Sequence, residues 1–562
     1  MNTRKSRQQS APHVRFYALG GLGEVGMNCA VIETEGRLLI IDCGVTFPES
    51  MHYGIDVIVP DFAALLARRN DIEALVITHG HMDHIGAIPW LLKEINVPIH
   101  APAFAAELIR RSLKEHDLLD RAEIHVFDED SRLKLGPFDL EFPAVNHSVP
   151  HAHAIVLRTS VGVFVHTGDF KVDHRPVGEE AFDLARFVDI GNEGVRALFA
   201  DSTNAEVPGF SGSERDAAQG LRQVIRDIRG RVFVALFSSN VFRVQSLFTI
   251  AAETGRKVVY LGRSVHTTIE AALRVGSLTI PPSVQVLDLD EVNGQLDEEL
   301  MFICTGTQAE PRAALTRLAN DDYPRLRFKP SDTVVFSARI IPGNETWVYQ
   351  VFDELARRDI TVITPNQAKI HVSGHGYRED LRLMHRALEP DVIVPVHGDH
   401  RYQKAHAALA RESGIRRSHV LNNGDILEFR EKDSSVVGTI ETGRRLVDGT
   451  IFDDMDGETF RERRQIARGG VVFVALTGGA ADGRLLADPA ITQVGAFVPD
   501  DVAGTGMMQE LKGVIRSAWK RLDADARKDA NEAAEQVRRS VRRHLRENLG
   551  RSPLVVVRAQ LV

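Results

Sequence analysis

The chain has 562 residues, 43% of them hydrophobic, and a formal net charge of −9. This length is sufficient for two or three hydrophobic cores, and the negative charge argues against a protein that coats nucleic acid indiscriminately, although a local basic groove is compatible with it. No apolar run approaches the roughly 18 residues that a membrane-spanning helix needs. The cysteines, which are too few and too scattered for a disulfide framework and so favour a reducing cytoplasm, are Cys29, Cys43 and Cys304.

The N-terminal segment is basic, and no apolar stretch follows its first ten residues. We therefore predict that residues 1–13 form a flexible tail and not a signal peptide. Residues 21–26 match the dinucleotide-binding pattern GxGxxG, but residues 27–33 predict a strand where that motif requires a helix. A glycine turn explains this segment better than a nucleotide cofactor does.

A dense histidine cluster follows the apolar run at residues 74–77, which predicts a buried strand. Neutral imidazole and carboxylate groups suit Zn²⁺ or Mn²⁺ better than thiolate-preferring metals. The alternative is a polar loop whose histidines are merely exposed, but three imidazoles and one carboxylate within six positions favour a metal site. The clustered residues are His79, His81, Asp83 and His84.

Further candidate ligands stand at or near the ends of other apolar runs, where strands are predicted to give way to loops. Each of these residues alone is more often an ordinary loop residue, but together they can complete a coordination shell around more than one ion. Asp169 is the carboxylate placed to bridge two metals. The set comprises Asp42, His147, Asp169 and His397.

The segment between Asp169 and His397 is too long for a loop and contains its own strand-like runs. They lie at residues 231–236, 257–261, 301–304, 333–336 and 361–364. We therefore predict an inserted α/β domain. Small or polar residues, mostly glycine, serine or threonine, follow the ends of these runs. In an open parallel sheet such ends converge on one crevice, where backbone N–H groups and hydroxyls suit phosphate oxygens.

After about residue 460 the pattern changes, and we predict a third, C-terminal α/β domain. Residues 469–476 and 553–558 predict strands, residues 509–521 predict a helix, and Asp525 is the expected cap of a long helix that runs to Asn548. That helix is strongly basic, and we interpret its basic face as exposed to solvent in preference to an RNA contact. Its arginines are Arg538, Arg539, Arg542, Arg543 and Arg546.

The ordered histidines and aspartates resemble the metal-binding pattern of the metallo-β-lactamase superfamily. Several strings bring the chain closer to the β-CASP branch and, within it, to the ribonuclease J family, over residues 14 to about 450. They lie at residues 18–26, 167–171, 200–205, 237–240, 262–264, 305–311, 341–345, 371–375 and 394–398. The resemblance implies an αββα sandwich with an inserted β-CASP domain.

Carried over position by position, the resemblance implies the following roles. Asp42 would support the ligands or the local structure without binding metal. The metal ligands would be His79, His81, Asp83, His84, His147, Asp169 and His397. Asp201 would serve in proton donation and His375 as general base or partner of the leaving group. The run His371, Val372, Ser373, Gly374 and His375 would grip substrate phosphate, and a pocket for the 5′ end would include Ser239, Arg263, Ser264 and Ser373.

The resemblance also implies the organisation and the function of the chain. The expected segments are the tail at 1–13, the metallo-β-lactamase domain at 14–205 and 356–455, the β-CASP domain at 206–355 and the C-terminal domain at 460–562. The expected function is metal-dependent 5′-to-3′ exoribonuclease activity in RNA maturation and decay. Whether the protein also has endoribonuclease activity is left open. Two divalent ions per subunit are implied, Zn²⁺ ahead of Mn²⁺ or Mg²⁺, as are 5′-monophosphorylated RNA and a homo-dimer or tetramer formed through the C-terminal domain.

Two other functions are compatible with parts of this pattern. A small-molecule metallohydrolase of the lactamase or thioesterase type would use the same ligands, with the inserted domain as a lid. A non-catalytic RNA-binding scaffold would keep the fold, but the intact set of ligands argues against it.

Overall fold

The computed structural model describes residues 12–48, 52–341, 343–449, 451–454, 457–497 and 506–562. Residues 1–11 of the predicted tail lie outside this part of the chain. The chain divides into two compact units, one of residues 1–46 and 59–443 and one of residues 47–58 and 444–562. No helix among the described residues is long and apolar enough to cross a membrane.

The first unit contains two large sheets. The strands of the first sheet are β1 (Val14–Gly20), β3 (Cys29–Thr34), β4 (Arg37–Ile41), β6 (Ile72–Val76), β7 (Ile99–Pro102), β8 (Ile124–Phe127), β23 (Asp425–Phe429) and β24 (Ser434–Thr439). Their order across the sheet is β24-β23-β1-β3-β4-β6-β7-β8. The return of the chain after residue 420 to pair with its first strand shows that the sheet is assembled from both ends of this unit.

The second sheet has seven strands. They are β9 (Arg132–Leu135), β10 (Phe138–Glu141), β11 (Ile155–Thr159), β12 (Gly162–His166), β13 (Val195–Asp201), β20 (Val392–Val396) and β22 (Arg417–Ser418), in the order β22-β20-β13-β12-β11-β10-β9. Apolar side chains of both sheets share one buried core, in which the rings of Phe16 and Phe199 stack with centroids 4.3 Å apart. The neighbouring strands β12, β13 and β20 are parallel, so their carboxyl ends open on one edge.

Helices cover the outer faces of this sandwich. They are α1 (Ala63–Leu66), α2 (Met82–Ile85), α3 (Ile88–Glu94), α4 (Ala103–Glu115), α5 (Leu184–Asn192), α11 (Arg378–Leu388) and α12 (His400–Glu412). Helix α4 packs on β7 and β8, whereas α5 and α12 pack on β13 and β20 of the second sheet. A short pair, β2 (Leu22–Gly23) with β21 (Gly398–Asp399), joins the glycine turn to the segment after His397.

A six-stranded sheet forms the inserted domain within the same unit. Its strands are β14 (Val232–Ala235), β15 (Lys257–Leu261), β16 (Val286–Leu287), β17 (Leu300–Cys304), β18 (Thr333–Phe336) and β19 (Thr361–Ile363), in the order β16-β15-β17-β14-β18-β19. All neighbouring strands are parallel, as predicted. The helices are α6 (Glu214–Asp227), α7 (Val241–Thr254), α8 (Arg263–Arg274), α9 (Ala314–Ala319) and α10 (Glu345–Ala356).

The second unit has its own hydrophobic core. Helices α13 (Glu458–Gly469), α14 (Met507–Arg521) and α15 (Ala530–Leu549) accompany the strands β27 (Val471–Gly478), β28 (Ala490–Val494) and β29 (Leu554–Leu561), which are ordered β28-β27-β29. A second small sheet joins β25 (Arg444–Asp448) with β26 (Ile451–Asp454) and with β5 (Val57–Pro60), whose first two residues belong to this unit.

The predicted cap of the long basic helix was wrong. The side chain of Asp529, and not that of Asp525, accepts hydrogen bonds from the backbone N–H groups of Asn531 and Glu532. Asp525 precedes a separate 3₁₀ turn at Ala526–Lys528, so the α-helix begins only at Ala530. Two aspartates four residues apart compete for the same role, and only the local backbone path selects between them.

Candidate metal centre and catalytic site

The predicted histidine cluster begins where β6 ends, and Asp42 anchors it from below. Asp42 follows β4 with a φ of +61°, and its carboxylate accepts hydrogen bonds from the N–H and the hydroxyl of Thr78, each at 2.8 Å. The same carboxylate lies 2.7 Å from Nδ1 of His84. Asp42 therefore fixes the loop and the orientation of one imidazole from behind the cluster.

Two groups of predicted ligands converge on the carboxylate of Asp169. In the first, the donor atoms of His79, His81, His147 and Asp169 all lie within 4.8 Å of one another. The second comprises Asp83, His84, Asp169 and His397, within the same limit. Oδ1 of Asp169 is buried and has no hydrogen-bond partner among the described residues, a state that an ion at this position would relieve.

The tautomers of four histidines are set by hydrogen bonds on the side away from this centre. In each of them Nδ1 lies within hydrogen-bond distance of an oxygen on the outer side, which leaves Nε2 facing the cluster, as expected of a metal-ligating imidazole. The pairs are His79 with Thr78 Oγ1, His84 with Asp42 Oδ2, His147 with the Gly374 carbonyl and His397 with Thr203 Oγ1, at 3.0, 2.7, 2.7 and 2.7 Å. His81 is the exception, because its Nδ1 is the atom 3.1 Å from Nε2 of His79.

The electrostatics of the cluster suit cation binding. Burial lowers the pKa of His81 to about 4 and that of His147 well below its usual value, so both rings are neutral donors at pH 7. Burial alone would raise the pKa of Asp169, but the surrounding histidines, His397 first, hold that pKa well below its usual value. Against the effect of burial, nearby carboxylates, Asp169 first, raise the pKa of His84 and His397, and a bound cation would take the place of the protons on those rings. Imidazoles and ionised carboxylates are the donor set that Zn²⁺ accepts, so the residues fit the metal.

A second constellation faces the cluster, formed by Asp201 at the end of β13 and by His375. Oδ2 of Asp201 lies 2.8 Å from Nδ1 of His375, which is 3.9 Å from the carboxylate of Asp169. Burial would lower the pKa of His375, but Asp201 and Asp169 raise it to about 9. The His375 side chain is 22% exposed, so a protonated imidazole is accessible to a substrate beside the metal ligands.

The loop that carries His375 is held in place by small residues and side-chain contacts. A Cβ on Gly374 would lie 3.0 Å from Cε1 of His147, so close packing requires glycine there. The hydroxyl of Ser373 accepts hydrogen bonds from the amide of Asn204 at 2.9 Å and from the N–H of His375 at 3.0 Å. The loop is therefore fitted to the metal ligands with little freedom.

Arg243 is the largest fully buried side chain in the described part of the chain, and no pattern in the sequence indicated its role. Its guanidinium binds both carboxylate oxygens of Glu214, at 2.5 and 2.8 Å, and donates to Nδ1 of His371 at 3.1 Å. Burial, followed by the charge of Arg243, lowers the pKa of His371 well below its usual value. The neutral ring of His371 is thus fixed by the inserted domain, and Val372 follows it, its carbonyl 3.5 Å from Arg243.

The predicted phosphate pocket is assembled in part. Ser239 follows β14, while Arg263 and Ser264 begin α8 after β15, and Ser264 accepts a hydrogen bond from Ser238 at 3.0 Å. The carboxyl ends of these two strands therefore meet. Ser373 lies in the other loop, and no hydrogen bond among the described residues joins its side chain to Ser239, Arg263 or Ser264.

The αββα sandwich, the shared aspartate and the inserted parallel sheet define a metal-dependent hydrolase of the metallo-β-lactamase superfamily. Models of four domain families match the chain. They are "Metallo-beta-lactamase superfamily" at residues 22–195, "Ribonuclease J, beta-CASP domain" at 229–355, "Zn-dependent metallo-hydrolase RNA specificity domain" at 364–420 and "Ribonuclease J C-terminal domain" at 458–561.

Full-length relatives agree with these matches. Ribonuclease J of Corynebacterium glutamicum is 38% identical over 92% of this chain and 71% of its own length, and ribonuclease J of Sinorhizobium meliloti is 37% identical over 96% of each. Ribonuclease J2 of Bacillus subtilis is 34% identical over 86% of this chain and 87% of its own length. The chain belongs to the ribonuclease J family.

A crystal structure of a protein of unknown function from Enterococcus faecalis V583 shares the fold, with a TM-score of 0.54 at 16% identity over 75% of this chain and all of that one. The predicted fold class and the prediction of a metal-dependent ribonuclease, a phosphodiester hydrolase that acts on RNA, are confirmed by the family matches. The small-molecule hydrolase and the scaffold are correspondingly disfavoured.

Proposed function

We propose that the chain is a 5′-to-3′ exoribonuclease with two divalent ions per subunit, Zn²⁺ ahead of Mn²⁺ or Mg²⁺, acting in rRNA processing and mRNA turnover in the cytoplasm. The observation that carries this proposal is the carboxylate of Asp169, which belongs to both ligand groups and lies 3.9 Å from His375. One buried carboxylate thus connects two candidate ion sites to a candidate proton donor, the combination that phosphodiester hydrolysis requires.

Each part of the site has a chemical task in this proposal. His79, His81, His147 and Asp169 would hold one ion, and Asp83, His84, Asp169 and His397 the other. When bound, such ions supply an acidified water and neutralise charge on the phosphate. His375 donates its Nε2 proton to the departing oxygen, and Asp201 holds the ring in place and keeps it protonated through Nδ1.

The direction of cleavage would come from the inserted domain. The N-terminus of α8, at Arg263 and Ser264, offers the backbone N–H groups of a first helical turn and a guanidinium, and Ser239 follows the strand that meets it. A terminal phosphate bound there, with His371 to His375 gripping the following phosphate, would set the distance from the 5′ end to the metal centre. One nucleotide would then be released per event.

End-labelled RNAs that carry a 5′-monophosphate, a 5′-triphosphate or a 5′-hydroxyl test this function in the presence of Zn²⁺, Mn²⁺ or Mg²⁺. We expect mononucleotides from the 5′-monophosphate substrate, with kcat/KM lower for the other two ends. Internal fragments as the first products, at equal rates for all three ends, would contradict the exonuclease and indicate an endonuclease.

The variant Arg263→Ala serves as the matched test of the pocket in the same assay. Loss of one charge-assisted phosphate contact should lower the preference for 5′-monophosphate by about tenfold, while hydrolysis of 5′-hydroxyl RNA is unchanged.

We further propose that the C-terminal domain mediates homo-oligomer formation, as a dimer or a tetramer. Described residues between Val472 and Val555 form a separate hydrophobic core, so removal of the chain from residue 460 onward leaves the metal ligands intact. Light scattering should give a single-subunit mass for the truncated protein. A multimer of unchanged subunit number would refute this role. The RNA affinity of the truncated protein, measured across a salt series, tests a second role, since an unchanged affinity would exclude an RNA contact by the arginines at 538–546.

A further inference from the structure

A chain of four polar side chains links the end of β13 to helices α11 and α12. It runs from Ser202 through His406 of α12 and His385 of α11 to Ser413 at the end of α12. The distances are 2.9 Å from Ser202 Oγ to His406 Nδ1, 3.0 Å between the two Nε2 atoms and 3.2 Å from His385 Nδ1 to Ser413 Oγ. Ser202 and both imidazoles are buried.

All hydrogen bonds of this chain can be made with both imidazole rings neutral. Two imidazole Nε2 atoms 3.0 Å apart can share only one hydrogen, so one ring donates and the other accepts. The hydroxyl of Ser413 donates to the carbonyl of Leu409 at 2.9 Å, so His385 Nδ1 donates to Ser413 Oγ and His385 Nε2 accepts from His406 Nε2. This leaves His406 Nδ1 as the acceptor of a hydrogen bond from the hydroxyl of Ser202. Burial lowers the pKa of His406 to about 4 and the pKa of His385 well below its usual value, in agreement with this count.

Ser202 belongs to a run of four residues, 201–204, that we call the DSTN turn. The side chains of this turn contact the His375 loop, the predicted ligand His397 and helix α12. Asp201 contacts His375, Ser202 contacts His406, Thr203 contacts His397 and Asn204 contacts Ser373. Three of the four contacts therefore reach the metal centre or the His375 loop, whereas the contact of Ser202 with His406 connects the turn to helix α12.

The two helices that meet through this contact are those that follow the site histidines in sequence. Helix α11 begins three residues after His375, and α12 begins three residues after His397. The contact of His385 with His406 joins the helices, and the contact of His406 with Ser202 joins them to the turn that bears Asp201. The buried imidazole of His406 thus contributes to the relative placement of Asp201, His375 and His397, in addition to the direct contacts of the turn and the pairing of β13 with β20.

We propose that His406 is a positioning residue for RNA hydrolysis, because its Nδ1 contact with Ser202 fixes the DSTN turn and so the distance between Asp201 and His375. This inference rests on the proposed catalytic role of the Asp201–His375 pair. His406 touches neither the substrate nor the metal ligands' donor atoms, so its removal should lower kcat without changing KM or metal content.

Two substitutions separate the contacts of His406. His406→Asn places an amide where Nδ1 lies and keeps the contact with Ser202, whereas His406→Gln places an amide near Nε2 and keeps only the contact with His385. We expect His406→Asn to retain most of the wild-type kcat, and His406→Gln to lose about tenfold, the scale of contacts that orient a site from behind. Ser202→Ala should reproduce the loss, with no further loss in the double variant.

A role in stability alone predicts the opposite order, since glutamine is closer to histidine in volume and keeps the link between the helices. Equal kcat in both variants, a higher kcat in His406→Gln, or loss of bound metal in His406→Gln would overturn the proposal. Asp201→Asn, measured in the same assay, distinguishes failure of the proposed Asp201–His375 function from failure of the positioning role of His406. If that variant keeps wild-type kcat, the proposed Asp201–His375 function fails, whereas a defective Asp201→Asn with a fully active His406→Gln refutes only the positioning role.

Discussion

Asp83→Ala is expected to abolish RNA cleavage, with kcat lowered by about 10³-fold or more. This loss exceeds the ~10–100-fold that is typical when a residue that only orients a metal ligand is replaced. The carboxylate of Asp83 lies 3.2 Å from Nε2 of His397 and 3.6 Å from Nε2 of His84, so its loss removes one donor of the second ligand group. The side chain is 27% exposed, and the hydrogen bond from Asn28 reaches only its backbone carbonyl. The fold should therefore survive, as measured by circular dichroism, while bound metal falls.

Met82→Ala is the matched control, because the neighbouring side chain is 48% exposed and contributes no donor atom. That variant should cleave RNA at the wild-type rate. His84→Ala is less informative, since it also removes the partner of Asp42 that fixes the loop, and we expect it to lower the melting temperature as well. Wild-type hydrolysis by purified Asp83→Ala would refute the assignment of the second ligand group.

Asp201→Asn is expected to lower kcat by about 10²–10⁴-fold, because without the carboxylate that orients His375 and keeps it protonated the usual contribution of a positioned proton donor is lost. It should also shift the alkaline limb of the pH–rate profile to lower pH. The pKa of His375 is raised to about 9 against the effect of burial, by Asp201 first and then by Asp169. A step that needs the His375 proton is fast below that pKa and slows as pH rises through it. Without the Asp201 carboxylate the proton is lost at lower pH.

The profile of kcat against pH, with metal content measured at each end, checks this expectation. Glu206→Gln removes a negative charge from the same loop without contacting His375, since Glu206 pairs with Arg401 at 3.1 Å. That control should keep both the rate and the alkaline limb of the wild type. An alkaline limb that does not move in Asp201→Asn would show that His375 is not the group that titrates.

Local patterns in the sequence were sufficient for much of the fold. The strand at Thr333–Phe336 lies where the sequence predicted it, because a parallel strand buried on both faces appears as an unbroken apolar run. The cluster from His79 to His84 could be recognised for a similar reason, since its residues are close along the chain. The more distant members of the two ligand groups, such as His147 and His397, were only candidates near the ends of apolar runs, and the family resemblance was needed to assign them as ligands.

Contacts between distant charged residues could not be predicted in this way. Arg243 and Glu214 each stand in a helix where the sequence suggests an ordinary solvated charge, and 29 positions separate them. The role of Ser202 was equally hidden, because its partner His406 lies 204 residues further along. Such pairs follow from how the sheets and helices come together, which no short window of sequence contains.

The position of Arg243 has a consequence for the entropy of folding. Its guanidinium touches Glu214, where the chain enters the inserted domain, and His371, where the chain leaves it. The long segment between these residues is therefore closed into a loop by its own side chain. The entropic cost of such closure grows by only about 0.6 kcal/mol for each doubling of loop length, so the sandwich can accommodate a whole domain at this point for little more than the cost of a short loop.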